Sequence, residues 1–143
     1  MSQSDKMPQQ AGKTFIKGYQ TAATLTAFLV FLQAALAGRF LFVDADAVNL
    51  HEMVGSAISG VVFAQVALAF LAPLSNKGLV RVTTGLLATL VVAQTGLGYI
   101  GRDEANAAAV HVPLGVLIFG LSSVLATLSF TVPTTTSGNH GQE

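Results

Sequence analysis

The amino-acid sequence predicts an all-α membrane protein, a four-transmembrane-helix bundle built from two tandem helical hairpins that are related by an axis along the membrane normal. Two observations predict this fold: long apolar runs without charge, and an internal repeat. Of the 143 residues, 52% are hydrophobic and only 10% are charged, whereas a soluble domain carries about 25% charged residues. The charged residues border four uncharged stretches, which lie between Lys17 and Arg39, Glu52 and Lys77, Arg81 and Arg102, and Glu104 and Glu143. Each stretch can hold the roughly 20 residues of helix that cross a hydrocarbon core. Lipid offers no hydrogen-bond partners to the backbone, so runs of this length are expected to be helices, which satisfy their own N–H and C=O groups.

The internal repeat relates residues 51–60 to residues 111–120. Both segments begin with histidine, carry glycine four residues later, and carry glycine again five residues after that. Gln33 and Gln94 precede the two histidines by 18 and 17 positions. Each copy contains two helices, so both copies have the same orientation in the membrane, and their histidines are expected at the same depth.

The predicted transmembrane domain covers residues 14–132, with helices at about 15–37, 48–72, 80–100 and 106–131. Asp44 and Asp46 are placed to cap the second helix, and Pro73 and Pro133 end the second and fourth helices because proline does not continue a helix. The polar segments 1–13 and 133–143 are predicted to be disordered cytoplasmic tails. Residues 35–37, Ala-Leu-Ala, resemble a signal-peptidase site, but the apolar run before them is longer than that of a signal peptide, so we expect the first helix to be retained.

The distribution of basic residues predicts the orientation. One side of the predicted membrane carries five of them and the other side two, namely Lys6, Lys13, Lys17, Lys77 and Arg81 against Arg39 and Arg102. Basic residues favour the cytoplasmic side. We therefore expect a multi-pass protein of the bacterial inner membrane with both termini in the cytoplasm.

Charge balance and cysteine content exclude several classes of function. Seven basic residues balance seven acidic ones, which gives no general attraction to nucleic acid. Without cysteine, the chain cannot hold a thioether-linked haem, an iron–sulfur cluster, a disulfide or a thiolate zinc site.

The two repeated histidines are the residues most directly suited to chemistry. Two imidazoles at equal depth on facing helices suit the axial ligation of one haem iron. We therefore predict one non-covalent haem b per chain, with His51 and His111 as the metal ligands. Two alternatives stay open: histidines hydrogen-bonded to loop carboxylates or water, and a different metal. Zinc and copper sites usually have three or four protein ligands.

The repeated glycines predict where side-chain bulk is missing. Gly55 and Gly115 follow the histidines by four residues, nearly on the same helix face, and are expected to leave room for a porphyrin. Gly60 and Gly120 lie on the opposite face and are expected to allow close helix–helix contact.

Arginines and glutamines complete the predicted cofactor pocket. Arg39 and Arg102 end the odd-numbered helices and offer a bidentate fork for haem propionates; contact with lipid headgroups, or pairing with Asp44 or Asp103, is the alternative. Gln33 and Gln94 either line the pocket or form a hydrogen bond between helices.

This layout resembles half of the heme A synthase family, and also small four-helix bacterial membrane proteins with the same glutamine and histidine pattern. The resemblance covers residues 25–125 and rests on Gln33, Gly38, His51 and Gly55, and on Gln94, Leu97, Gly98, His111 and Gly115. It implies a four-helix bundle with paired histidines that bind haem near the outer face. The family has a glutamate three residues before a site histidine, where this chain has Val48 and Ala108. The cysteine pair of some members is also missing, so the hydroxylating activity is not carried over.

The leading hypothesis is a cytochrome-b-like protein that carries single electrons through a bis-histidine haem near the outer leaflet. Its expected partners are the lipid bilayer, a quinol or periplasmic electron carrier, and a larger respiratory-type complex or a second copy of the chain. The first alternative is a haem-free accessory or scaffold subunit, and the second is a haem-handling protein related to heme A synthase. An electron carrier or accessory subunit is favoured over an enzyme, because an iron with two histidine ligands has no open position for catalysis.

Overall fold

The computed structural model of the chain describes residues 3–74 and 76–131, with side chains from residue 9 onward. Its four helices are α1 (Gln3–Phe42), α2 (Ala47–Leu71), α3 (Lys77–Ile100) and α4 (Ala105–Thr131). Each helix contains a stretch long and apolar enough to cross a membrane. The predicted all-α, four-helix membrane fold is confirmed, and the ends of α2, α3 and α4 lie within about one turn of the predicted ones.

The first helix is longer than predicted at both ends. Its 40 residues correspond to about 60 Å of helix, roughly twice the hydrocarbon thickness. Within the segment 1–13, which was predicted to be disordered, the structure has helix from Gln3 onward, and packing accounts for the part near Gly12. A Cβ atom added to Gly12 would lie 3.2 Å from Cγ of Pro73, so the extension of α1 rests on the turn between α2 and α3. The predicted C-terminal tail, 133–143, lies outside the described residues.

The helices form a four-cornered bundle in which sequence neighbours are spatial neighbours. α1 packs against α2 and α4, and α3 packs against the same two helices, while α1 and α3, like α2 and α4, stand across the diagonals. The helices that carry His51 and His111 therefore face each other through the interior.

The buried residues repeat the internal duplication of the sequence. On α1 and α3 the equivalent buried positions are 61 residues apart: Tyr19, Ala23, Thr26 and Val30 against Val80, Thr84, Leu87 and Val91. On α2 and α4 they are 60 residues apart: Ile58, Val62, Gln65 and Ala69 against Ile118, Ser122, Leu125 and Ser129. The two hairpins thus bury the same helix faces, as expected for two copies related by an axis along the bundle.

The end of the bundle distant from the histidines is also built twice, with different residues. Nε of Arg81 donates to the Ala69 carbonyl at 3.3 Å, and Nε2 of Gln20 donates to the Ser129 carbonyl at 2.8 Å. These carbonyls belong to the last turns of α2 and α4, which lack hydrogen-bond donors within the helix. Arg81 also lies over the Phe70 ring, at 4.9 Å from its centroid. α3 therefore caps the end of α2, and α1 caps the end of α4, so each cap joins one hairpin to the other.

The turn before α2 differs in detail from the prediction. Asp46 is the N-cap residue, but its side chain makes no capping hydrogen bond. Oδ1 of Asp44 instead accepts the Asp46 N–H at 3.1 Å. Asp44 therefore stabilises the turn itself, and neither carboxylate reaches the backbone N–H groups of the helix.

The outer faces of the bundle are apolar, and its interior contains several polar side chains. Large apolar residues such as Phe28, Phe63 and Phe130 are exposed, as a lipid environment requires. Inside, the hydroxyls of Tyr19 and Thr84 lie 2.9 Å apart. Hydrogen bonds between helices are a recognised means of association in membranes, where apolar side chains alone provide little preference.

Candidate functional site

The two repeated histidines lie against each other at one end of the bundle, which we call the histidine end. His51 is in the second turn of α2 and His111 is in the second turn of α4. Their ring centroids are 6.3 Å apart, and the ring planes are tilted by 56°. Both side chains are half-buried. Because α2 and α4 stand across a diagonal, this contact is made by the side chains through the interior.

His111 is held by α3 through a hydrogen bond and through close packing. Its Nδ1 lies 3.0 Å from the Gln94 carbonyl oxygen. A carbonyl can only accept, so Nδ1 carries the proton and Nε2 keeps its lone pair. The ring also lies against Gly98, where an added Cβ would come within 3.1 Å of Cε1. Such an Nδ1–H bond to a backbone carbonyl is the usual way in which a metal-binding histidine is oriented.

His51 is held differently. Its Nδ1 is buried and makes no hydrogen bond of normal length and angle, although the Gln33 backbone carbonyl lies within hydrogen-bonding reach of the ring, as that of Gln94 does for His111. The Phe40 ring lies beside it, with centroids 6.3 Å apart. The contact with α1 is made instead through the backbone, since Nε2 of Gln33 donates to the His51 carbonyl at 2.7 Å.

The glycines one turn after the histidines make room for the glutamines. A Cβ atom on Gly55 would lie 3.2 Å from Nε2 of Gln33, and one on Gly115 would lie 3.1 Å from Nε2 of Gln94. The repeated glutamine and glycine are therefore one packing unit that occurs twice. The space that the sequence analysis assigned to a porphyrin is filled here by two amides.

The second pair of repeated glycines faces outward. Gly60 and Gly120 are exposed, and added Cβ atoms would meet nothing within 4 Å. The expectation of close helix contact at these positions is wrong within the four-helix bundle. Nine residues at 100° per residue place each glycine opposite its histidine, and the side opposite the interior faces lipid.

Both arginines at the histidine end pair with carboxylates of the protein. The Arg39 guanidinium lies 3.4 Å from Oδ2 of Asp44, which was one of the predicted alternatives. Arg102 pairs with Glu52 rather than with Asp103, and its guanidinium also lies 4.8 Å from the Tyr99 ring centroid. All of these side chains are substantially exposed, so the ion pairs contribute little to stability and can exchange partners.

Three polar atoms without partners lie beside the histidines. They are Oε1 of Gln33, Oε1 of Gln94 and Nδ1 of His51. Buried polar atoms in native proteins are normally hydrogen-bonded to protein or ordered water. Two of the three belong to equivalent residues of the repeats, so each hairpin has an amide oxygen at the histidine end that can accept a further hydrogen bond.

The two histidines are the side chains at this end that were predicted to hold a metal. Within the described ranges, no group of three or more metal-binding side chains is close enough to share an ion. An imidazole nitrogen bonds a metal at about 2 Å, so rings that share one metal on opposite sides have centroids roughly 6 Å apart. The observed separation of 6.3 Å is compatible with that arrangement and is also an ordinary distance between two packed rings; a haem supplies the four remaining iron ligands itself.

Several contacts at the site could not be identified from the pattern of repeated residues. Phe40 beside His51 and the pairing of Glu52 with Arg102 have no counterpart in the other repeat. In the second repeat, the residue equivalent to Phe40 is Gly101, and the residue equivalent to Glu52 is Val112. Gly98 was recognised only as part of the repeated motif, although its four-residue distance from Gln94 places both on one face of α3.

Comparisons of the chain with protein families, with characterised proteins and with solved structures find no match.

Proposed function

We propose that this protein binds one haem b through His51 and His111 and transfers single electrons across the histidine end of the bundle. The observation that carries the proposal is the ring separation of 6.3 Å between two histidines on diagonal helices. The resemblance to half of the heme A synthase family supports the same site. When bound, haem supplies a one-electron iron couple.

The protein residues have distinct tasks in this proposal. His111 presents Nε2 because Nδ1 is engaged by the Gln94 carbonyl. The side-chain oxygens of Gln33 and Gln94 are buried and lack partners. Arg39 and Arg102 are candidates for the propionates, since their present carboxylate partners are exposed and are replaceable at small cost.

The predicted location belongs to the same proposal. The described residues at the end opposite the histidines include Lys13, Lys17, Lys77 and Arg81, and basic residues favour the cytoplasm. The histidine end then faces the outside of a bacterial inner membrane. Its electron partner is a quinol in the bilayer or a periplasmic carrier, within a larger respiratory-type complex or a homodimer.

A second function, that of a haem-free scaffold subunit, is favoured by one observation. The Gln94 carbonyl joins His111 on α4 to α3, and the Gln33 amide joins His51 on α2 to α1. Each hairpin is thus fastened by its own glutamine and histidine, with no cofactor required. In this case the repeat preserves packing rather than chemistry.

The visible spectrum of the detergent-purified protein separates the two functions. Protein from haem-replete cells is measured oxidised and after dithionite reduction, and haem is quantified as the pyridine haemochrome. The proposal expects a sharp low-spin b-type spectrum at about one haem per chain, as one pair of axial ligands allows. His140→Ala, which changes the third histidine of the chain, serves as the control and is expected to keep the haem.

The outcome decides between the functions. Loss of the low-spin spectrum in both His51→Ala and His111→Ala, with the control intact, supports the cytochrome. A colourless wild-type protein that is folded and helical excludes it and leaves the scaffold. A chain that acquires haem only transiently and releases it to a second protein supports the haem-handling alternative.

A further inference from the structure

The two ends of the bundle carry opposite charge. The five acidic side chains that the structure describes all lie in the loops and first two turns of the histidine end, and they are Asp44, Asp46, Glu52, Asp103 and Glu104. The opposite end has four basic side chains, Lys13, Lys17, Lys77 and Arg81, and none of the side chains described there is acidic. This end therefore attracts anions that the protein itself does not supply.

The four basic residues lie at one level of the bundle. Lys13 follows Gly12, which packs against the turn after α2, and Lys17 is about one turn further along α1. Lys77 begins α3, and Arg81, one turn later, donates to a carbonyl in the last turn of α2. Each pair spans about 6 Å of helix, so the charges form one layer where the helices of the bundle end.

The two pairs differ in how free their side chains are. Arg81 is engaged, because its guanidinium donates to the Ala69 and Phe70 carbonyls and lies over the Phe70 ring. Lys13 and Lys17 are exposed and form no ion pair with another described residue. Residues four apart on a helix are neighbours on one face, with Cβ atoms about 5–6 Å apart. Both ammonium groups can therefore reach one phosphate group.

An apolar surface continues from the two lysines into the membrane. Phe28 is eleven positions after Lys17, which is about three turns deeper on nearly the same face of α1, and it is 60% exposed. Lysine suits such a boundary, since its carbon stem lies along apolar surface while its charge stays among the headgroups. A soluble anion uses only the charges, whereas a lipid uses both the charges and the apolar face below them.

We propose that Lys13 and Lys17 together bind the phosphate of an anionic membrane lipid, whose acyl chains lie along the exposed face of α1. Basic residues where transmembrane helices meet the headgroups attract anionic lipids, and each charge near the surface increases affinity about fivefold. In the orientation proposed above, the lipid belongs to the cytoplasmic leaflet. The inference concerns the end of the bundle opposite the histidines and does not depend on haem.

A lipid titration of the detergent-purified full chain, followed by native mass spectrometry, tests the inference. The probes are phosphatidylglycerol and phosphatidylcholine with the same acyl chains. The wild type is expected to bind the first phosphatidylglycerol about twentyfold more tightly than phosphatidylcholine, as two lysines at about fivefold each allow. Inorganic phosphate is not expected to compete, because it makes no contact with the apolar face.

The chain offers matched variants for the two lysines. Lys17→Gln is expected to weaken phosphatidylglycerol binding about fivefold, and Lys13→Gln combined with Lys17→Gln is expected to abolish the preference for it. Lys77→Gln removes the same charge at the same level on α3, which stands across the diagonal from α1, and is expected to change binding by less than about twofold. Lys13→Arg combined with Lys17→Arg keeps both charges and is expected to keep the preference. Circular dichroism establishes that each variant retains its helices.

Three results overturn the inference. Equal affinity of the wild type for the two lipids shows that the lysines do not select an anionic headgroup. Equal losses in Lys17→Gln and Lys77→Gln assign the preference to the general charge of this end rather than to a site on α1. Competition by inorganic phosphate identifies a soluble anion as the ligand. A colourless protein overturns the proposed function but leaves this inference unaffected, since the lipid titration needs no haem.

Discussion

Replacement of Gln65 with leucine is expected to stabilise the bundle, although it removes a hydrogen bond. Gln65 is fully buried on α2. Its Oε1 accepts from the Thr26 hydroxyl at 3.0 Å, while its Nε2 has no partner. Turning the amide round does not help, because the Thr26 oxygen then accepts from Nε2 and Oε1 is left alone. One atom of the amide is unsatisfied in either orientation.

The magnitude follows from two opposing terms. An unsatisfied buried polar atom costs about 1–3 kcal/mol, and leucine removes that cost. The lost hydrogen bond between helices is worth about 0.6 kcal/mol on average in membrane proteins. No new unsatisfied group arises, because the single hydrogen of the Thr26 hydroxyl is then free to bond the Ala22 carbonyl, whose oxygen lies 2.9 Å away. The unfolding free energy is therefore expected to rise by about 1 kcal/mol.

The internal repeat supplies the matched control. Leu125 is the buried residue at the equivalent position of α4, so Leu125→Gln makes the reverse change in the other copy and is expected to lower stability by about 1–3 kcal/mol. Both free energies are measured by reversible unfolding in mixed micelles, followed by circular dichroism. A Gln65→Leu protein that is less stable than the wild type by about 1 kcal/mol or more refutes the reasoning and indicates that a buried water or another group satisfies Nε2.

Three further changes test other parts of the bundle by the same unfolding measurement. A double-mutant cycle of Tyr19→Phe and Thr84→Val should give a coupling free energy of about 0.6–1.7 kcal/mol, since the two hydroxyls form a buried hydrogen bond. A coupling free energy of zero would contradict that bond. Gly101→Ala should destabilise the protein by about 1–3 kcal/mol through overpacking, because a Cβ there would lie 2.9–3.1 Å from backbone atoms. Gly96→Ala is the control and should not destabilise it, because a Cβ there would meet open space. Equal effects of the two substitutions would refute the packing argument. Arg102→Gln should change stability by about 1 kcal/mol or less, as an exposed ion pair does, and a larger loss would indicate that the guanidinium fastens the loop to α2.

The number of helices and the internal repeat could be read directly from the residue order. Clusters of charge separated by long apolar runs have one solution in a membrane, because lipid leaves the backbone no hydrogen-bond partner outside a helix. The two copies of histidine and glycine predicted equivalent hairpins, and the buried residues follow the same 60- and 61-residue offsets. The start of α1 was missed because its polar composition suggested disorder, whereas Gly12 packs against Pro73.

The sequence by itself therefore determined the membrane fold, the duplication and the residues that stand at equal depth, since these follow from periodicity and from the needs of a backbone in lipid. Only the tertiary structure decided which atoms meet. Helical spacing tells which residues share a face, but the helix that fills the space opposite that face depends on the packing of the whole bundle. The glutamine amides occupy the room beside Gly55 and Gly115, and the His111 ring packs against Gly98 with its Nδ1 on the Gln94 carbonyl. Which side chain fills the space beside a repeated glycine is decided by contacts between helices, and the repeat pattern does not record them.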